Sequence, residues 1–179
     1  MKIGVYGGTF DPPHLGHMAA ARAAAGLLEL DKILYVPAAI PPHKTLPPEA
    51  VPAGDRLAMT ALMADGLCLE MGRPGLAQAD GLELSREGKS YTVDTLGELR
   101  IRYPDDELWL LMGTDMFLTL QNWRAPERIT ALADVAAFAR RESETGELLK
   151  TQGRYLQERF GARVAVVELP QTPDLSPTP

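Results

Sequence analysis

"KIGVYGGTFDPPHLGHMAAARAAAGLLELDKILYV", residues 2–36, is the stretch that decides the fold. Residues 2–6 form a short apolar run that ends on Gly7 and Gly8, the punctuation expected of a strand. Residues 15–30 are rich in alanine and leucine and read as a helix. Residues 32–36 are a second apolar run. Strand, loop, helix and strand in that order make a βαβ unit, so the two strands should lie parallel. In such sheets ligands bind beyond the carboxyl ends of the strands, which is where residues 7–14 sit.

Working outward, the alternation continues. Residues 37–52 hold six prolines and cannot form a regular helix or a central strand, so they predict a long, partly stiffened loop. Residues 53–66 read as a helix with apolar positions Leu57, Leu62 and Met63 among its alanines, and 81–85 as a short strand. Over 92–103, Val93, Leu96, Leu99 and Tyr103 share a helical face. Residues 107–113 predict a buried strand ending at glycine. A helix follows over 125–133, with Pro126 in its first turn. Residues 134–140 and 163–169 predict strands around a helix at 144–161. The expectation is a single domain over 1–179: α/β, doubly wound and Rossmann-like, on a mostly parallel sheet of five or six strands. The proline-rich tail at 170–179 reads as cut short, with a terminal helix missing beyond it.

Composition narrows the function. The net charge of −6 argues against broad nucleic-acid binding, although it leaves room for a basic pocket in one cleft. The one cysteine, Cys68, rules out a disulfide framework within the chain and reads as a buried, inert thiol. The start has no apolar leader and no stretch approaches transmembrane length, so no membrane is expected and the setting predicted is cytoplasmic. Homo-oligomerisation stays open.

The loop after the first strand is built for an anion. Its glycines let backbone approach a ligand, and the following helix start offers free N–H groups and a positive dipole end. His14 and His17 are three apart, so both side chains can face one bound group, as hydrogen-bond donors or as cations. Thr9 adds a hydroxyl. Zinc is a competing use of two histidines, but His43 and Cys68 are the only other histidine and cysteine in the chain. The phosphate loop G-x-x-x-x-G-K-[ST] is absent, and so is the dinucleotide fingerprint G-x-G-x-x-G.

"GGTFDPPHLGH" (7–17) resembles the H-x-G-H nucleotidyltransferase family, and its flank "GGTFDPPH" is more similar to the bacterial nicotinate-mononucleotide adenylyltransferases than to the pantetheine-phosphate adenylyltransferases and cytidylyltransferases that share H-x-G-H. The resemblance implies adenylyl transfer from ATP to nicotinate mononucleotide in NAD biosynthesis, with Mg²⁺ accompanying the ATP phosphates and no metal ligand from the protein. It implies His14 and His17 as the catalytic pair, and ATP contacts from Gly7, Gly8, Thr9 and Phe10. It also implies that Gly8 and Thr9 meet the acceptor nucleotide. The nicotinamide nucleotide, another phosphate acceptor and a binding-only module remain rival readings.

Later segments extend the resemblance. "IPPHK" (40–44) implies Lys44 near the acceptor phosphate. "SYTVDTL" (90–96) implies that Tyr91 and Thr92 meet the pyridine ring and its carboxylate, while Ser90 or Thr92 should also cap the helix. "MGTDMFLTLQNW" (112–123) implies Gly113 and Asp115 at the ATP ribose and Trp123 stacked on the pyridine, although Asp115 alone would read as a buried helix cap. "FARRES" (138–143) keeps Arg141 for the triphosphate but replaces the family's R-P-G turn with R-E-S. "LSPTP" (175–179) matches the start of an S-S-T-x-I-R motif at Ser176 and Thr178, with Pro177 in place of serine.

Overall fold

The computed structural model describes residues 1–42, 45–140 and 145–169. The βαβ unit forms as its residues dictate: β1 (Lys2–Gly8), α1 (Leu15–Leu28) and β2 (Lys32–Pro37). There follow α2 (Ala53–Met71), β3 (Ala77–Ala79), α3 (Thr92–Arg102), β4 (Glu107–Met112), α4 (Thr114–Leu118), α5 (Pro126–Leu132), β5 (Asp134–Arg140), α6 (Thr145–Phe160) and β6 (Val164–Leu169). The six strands form one sheet in the order β3-β2-β1-β4-β5-β6, and every pairing is parallel. The order reverses between β1 and β4, which sets a crevice at their carboxyl ends.

The strand period of two divides the core. Leu108, Leu110 and Met112 of β4 face a core shared with α3, α5 and α6, while Trp109 and Leu111 face a core shared with α1 and α2. Helix α1 buries only alanines (Ala20, Ala21, Ala24 and Ala25), so its backbone can lie close to the sheet. No helix among the described residues is long and apolar enough to cross a membrane.

Three local expectations are corrected. Residues 82–85, expected within a strand, form a single 3₁₀ turn; the third strand is the three-residue Ala77–Ala79, held by pairing with β2 rather than by a pattern of its own. Helix α2 runs on through Gly66 to Met71 and buries Arg56, Thr60, Met63, Ala64 and Leu67, while Leu62 faces solvent at 71% exposure. Cys68 is half-buried, and its sulfur bonds the backbone of Ala77 in both directions, at 3.2 Å and 3.3 Å.

Candidate active site

The loop leaving β1 is held from three sides. Ala38 N–H donates to the Gly8 carbonyl at 2.9 Å, Val51 N–H donates to the Asp11 carboxylate at 3.4 Å, and Arg56 Nη1 donates to the Thr9 carbonyl at 2.7 Å. Arg56 is 1% exposed and its Nε also donates to the Val51 carbonyl at 3.1 Å. No ion pair joins Arg56 to a carboxylate among the described residues, so its charge is met by carbonyl oxygens. Phe10 takes a left-handed backbone (φ 51°) that a side-chain-bearing residue rarely adopts, and burial of its ring at 3% exposure holds it there. That ring lies under Gly8, where an added Cβ would come within 3.2 Å of Phe10 Cζ. Any contact of Phe10 with nucleotide therefore comes from its backbone. Gly113 is different: an added Cβ would meet nothing within 4 Å, so it borders open space at the end of β4.

His14 and His17 form a reciprocal cap on α1. His14 Nδ1 accepts from Gly16 N–H at 3.0 Å, and His17 Nδ1 accepts from His14 N–H at 3.0 Å. Both Nδ1 atoms are thereby used as acceptors, which leaves Nε2 of each ring as the donor. The rings stack at 3.8 Å with 25° between planes, so the two imidazoles lie side by side. Phe10 (4.9 Å) and Tyr6 (5.9 Å) meet the edge of His17. This burial, with His14 beside it, lowers the His17 pKa from 6.5 to about 4. At pH 7 the His17 ring is therefore neutral.

A separate cavity of about 340 Å³ opens between α3 and α5. It brings together Tyr91 and Thr92 from the start of α3 with Trp123, three residues expected near the pyridine ring. Asn122, Arg124 and Pro42 line it as well, none of them singled out in the sequence. The Arg124 guanidinium lies over the Tyr91 ring at 4.6 Å, and Trp123 Nε1 donates to Thr119 Oγ1 at 3.3 Å.

The expected caps differ from the structure. Tyr91 is the N-cap of α3 and makes no side-chain cap bond. Ser90 Oγ instead accepts from Ala39 N–H (3.1 Å) and Ile40 N–H (3.4 Å), tying the proline-rich loop to the start of α3. Asp115 is exposed rather than buried, and Gly113, not Asp115, is the N-cap of α4. Beneath Ser90 lies Glu83, which accepts from the Thr95 hydroxyl; burial raises its pKa from 4.5 to about 7, against the pull of Arg86. Lys44, Arg141, Ser176 and Thr178 lie outside the described residues. Among the described residues, no three His, Cys, Asp or Glu side chains group as a metal site.

The sequence missed Arg56 and Arg124. "AGDRLAM" gives an arginine no mark of burial, and Arg124 next to Trp123 reads as an ordinary loop cation.

The profile of the cytidylyltransferase-like family matches residues 5–178. The chain is 41% identical over 141 residues to a probable nicotinate-nucleotide adenylyltransferase of Citrifermentans bemidjiense, covering 78% of this chain and 61% of the relative. It is 43% identical over 141 residues to a protein of the same description from Thermus thermophilus, covering 78% and 70%. The chain thus spans less than two thirds of the first relative's length. In fold it is similar to the Plasmodium falciparum nicotinic acid mononucleotide adenylyltransferase complexed with NaAD, with a TM-score of 0.72 and 16% identity over 96% of this chain and 77% of that one.

Proposed function

The chain belongs to the cytidylyltransferase-like family, and from that premise we infer that it transfers the adenylyl group of ATP to nicotinate mononucleotide, forming nicotinate adenine dinucleotide and pyrophosphate in NAD biosynthesis. The observation that carries the reading is the paired cap on α1. Two stacked imidazoles with both Nδ1 atoms accepting from backbone present their Nε2 atoms as donors at a helix start beside the sheet's crevice. In this reading an acceptor phosphate oxygen bonds to the α-phosphorus of ATP. The bond from that phosphorus to the β-bridging oxygen breaks, and pyrophosphate leaves with the electron pair.

His14 and His17 donate to the phosphoryl oxygens as charge grows on them. A preorganised donor of this kind is worth about 10²–10³ in rate. A neutral donor such as His17 suits the task, because it needs no counter-charge before substrate arrives. Gly7, Gly8, Thr9 and Phe10 supply loop backbone to the nucleotide, Gly113 gives it room at the end of β4, and exposed Asp115 accepts from the ribose. Tyr91, Thr92 and Trp123 hold the pyridine end in the cavity. Mg²⁺ belongs to this proposal as a companion of the ATP phosphates, which supply oxygen ligands themselves. Residues 1–179 are read as one nucleotidyltransferase domain working on small molecules in the cytoplasm.

The test is pyrophosphate release from ATP and Mg²⁺ with nicotinate mononucleotide or nicotinamide mononucleotide as acceptor. Release with a clear preference for the nicotinate form is expected. No release with it would overturn the reading.

A further inference from the structure

Arg124 stands out in the cavity between α3 and α5 because it is the one charged side chain lining it among the described residues. Its guanidinium rests on the Tyr91 ring at 4.6 Å, and no carboxylate among the described residues pairs with it. Glu127, on the first turn of α5, is exposed and leaves it alone. The backbone holds Arg124 in a short span between two fixed points. Trp123 N–H donates to the Leu120 carbonyl at 3.1 Å, and Ala125, in a left-handed conformation (φ 51°), accepts from Arg128 and Ile129 to start α5. Trp123 and Arg124 thus line the cavity together, a flat ring beside an exposed cation whose donors meet no acceptor among the described residues.

That pairing selects for charge. The pyridine ring is cationic in both nicotinate and nicotinamide mononucleotide. In the nicotinate form a carboxylate offsets the ring's charge, and its two oxygens match the fork of a guanidinium. In the nicotinamide form the ring cation stands uncompensated, and a guanidinium nearby repels it. One residue thus supplies attraction to one nucleotide and repulsion of the other.

We propose that Arg124, held on the Tyr91 ring, is the specificity-determining residue that admits a pyridine carboxylate and turns away the carboxamide. The proposal rests on the adenylyltransferase reading for its substrate but is tested through binding as well as turnover. Both nucleotides are titrated calorimetrically into the native protein, Arg124→Met and Arg124→Lys, and kcat/KM is measured for each with ATP and Mg²⁺. The Met variant should weaken nicotinate mononucleotide about tenfold or more, through Kd and KM rather than kcat. Its affinity for the nicotinamide form should be unchanged or improved, and Arg124→Lys should recover part of the preference.

Equal loss for both nucleotides, or no loss for either, overturns the proposal while native turnover leaves the adenylyltransferase reading standing. Selective, Arg124-dependent binding without turnover does the opposite: it supports the proposal and removes the reaction. Native protein that binds neither nucleotide overturns both.

Discussion

Replacing Gly16 with alanine moves the His14 imidazole without altering it. The added Cβ would lie 2.7 Å from His14 Cε1 and 2.8 Å from His14 Nδ1, about 0.6–0.7 Å inside the 3.4 Å at which ordinary contact begins. The helix start is fixed by its backbone, whereas the exposed His14 ring can swing away, so the ring gives. Swinging breaks the 3.0 Å bond from Gly16 N–H and the 3.8 Å stack on His17. Losing a helix cap costs about 1 kcal/mol. Alanine in place of glycine within a helix returns up to about 1 kcal/mol. The balance lies near zero, and even a residual of about 1 kcal/mol moves Tm by only about 2–4 °C. Activity has no such offset, because the Nε2 donor has left its place, and about a hundredfold loss in kcat is expected. Thermal unfolding followed by circular dichroism and pyrophosphate release by a coupled assay read the two effects separately. A variant with kcat within about threefold of native would refute the claim that the capped position of His14 is what the reaction uses.

Three further outcomes follow from other groups. Arg56→Met keeps much of the length but leaves the Thr9 and Val51 carbonyls unpaired; a loss of about 2–4 kcal/mol is expected in urea unfolding, and an unchanged midpoint would mean that the clamp is idle. His17 is held neutral by the fold, with its pKa lowered to about 4, so the unfolded chain binds the extra proton between pH 6.5 and 4. The stability it confers is complete above pH 6.5 and fades as pH falls toward 4; a His17→Gln variant should show a shallower acid slope than native, and an identical slope would count against this. Glu83 has the opposite sign: its pKa is raised to about 7 by burial, so its neutral form is favoured and stability declines as pH climbs from 4.5 through 7. Glu83→Gln should therefore gain on native between about pH 5 and pH 8, despite the loss of charge opposite Arg86 and beside Glu98; an equal difference at the two pH values would contradict it.

Several features were legible in the residues alone because their causes are local. The βαβ unit at 2–36 follows from two apolar runs around an alanine-rich helix, and the position of the loop between β1 and α1 follows with it. The apolar face of α3, with Val93, Leu96 and Leu99, follows from helical period. The pairing of His14 with His17 was legible too, since two histidines three apart at a helix start bring their side chains together wherever that helix packs.

Tertiary structure decided what depends on neighbours distant in the chain. Three residues at 77–79 are a strand because β2 offers them an edge, whereas 82–85 has no such partner and coils into a turn. Arg56 is buried because carbonyls from Thr9 and Val51 converge on it, which no local pattern announces. Ser90 serves the proline-rich loop rather than its own helix because that loop comes to lie within its reach. The charge state of His17 was decided in the same way. Its spacing from His14 is a property of sequence, but the Phe10 and Tyr6 rings that remove it from water reach it only through folding, and desolvation is what keeps it neutral.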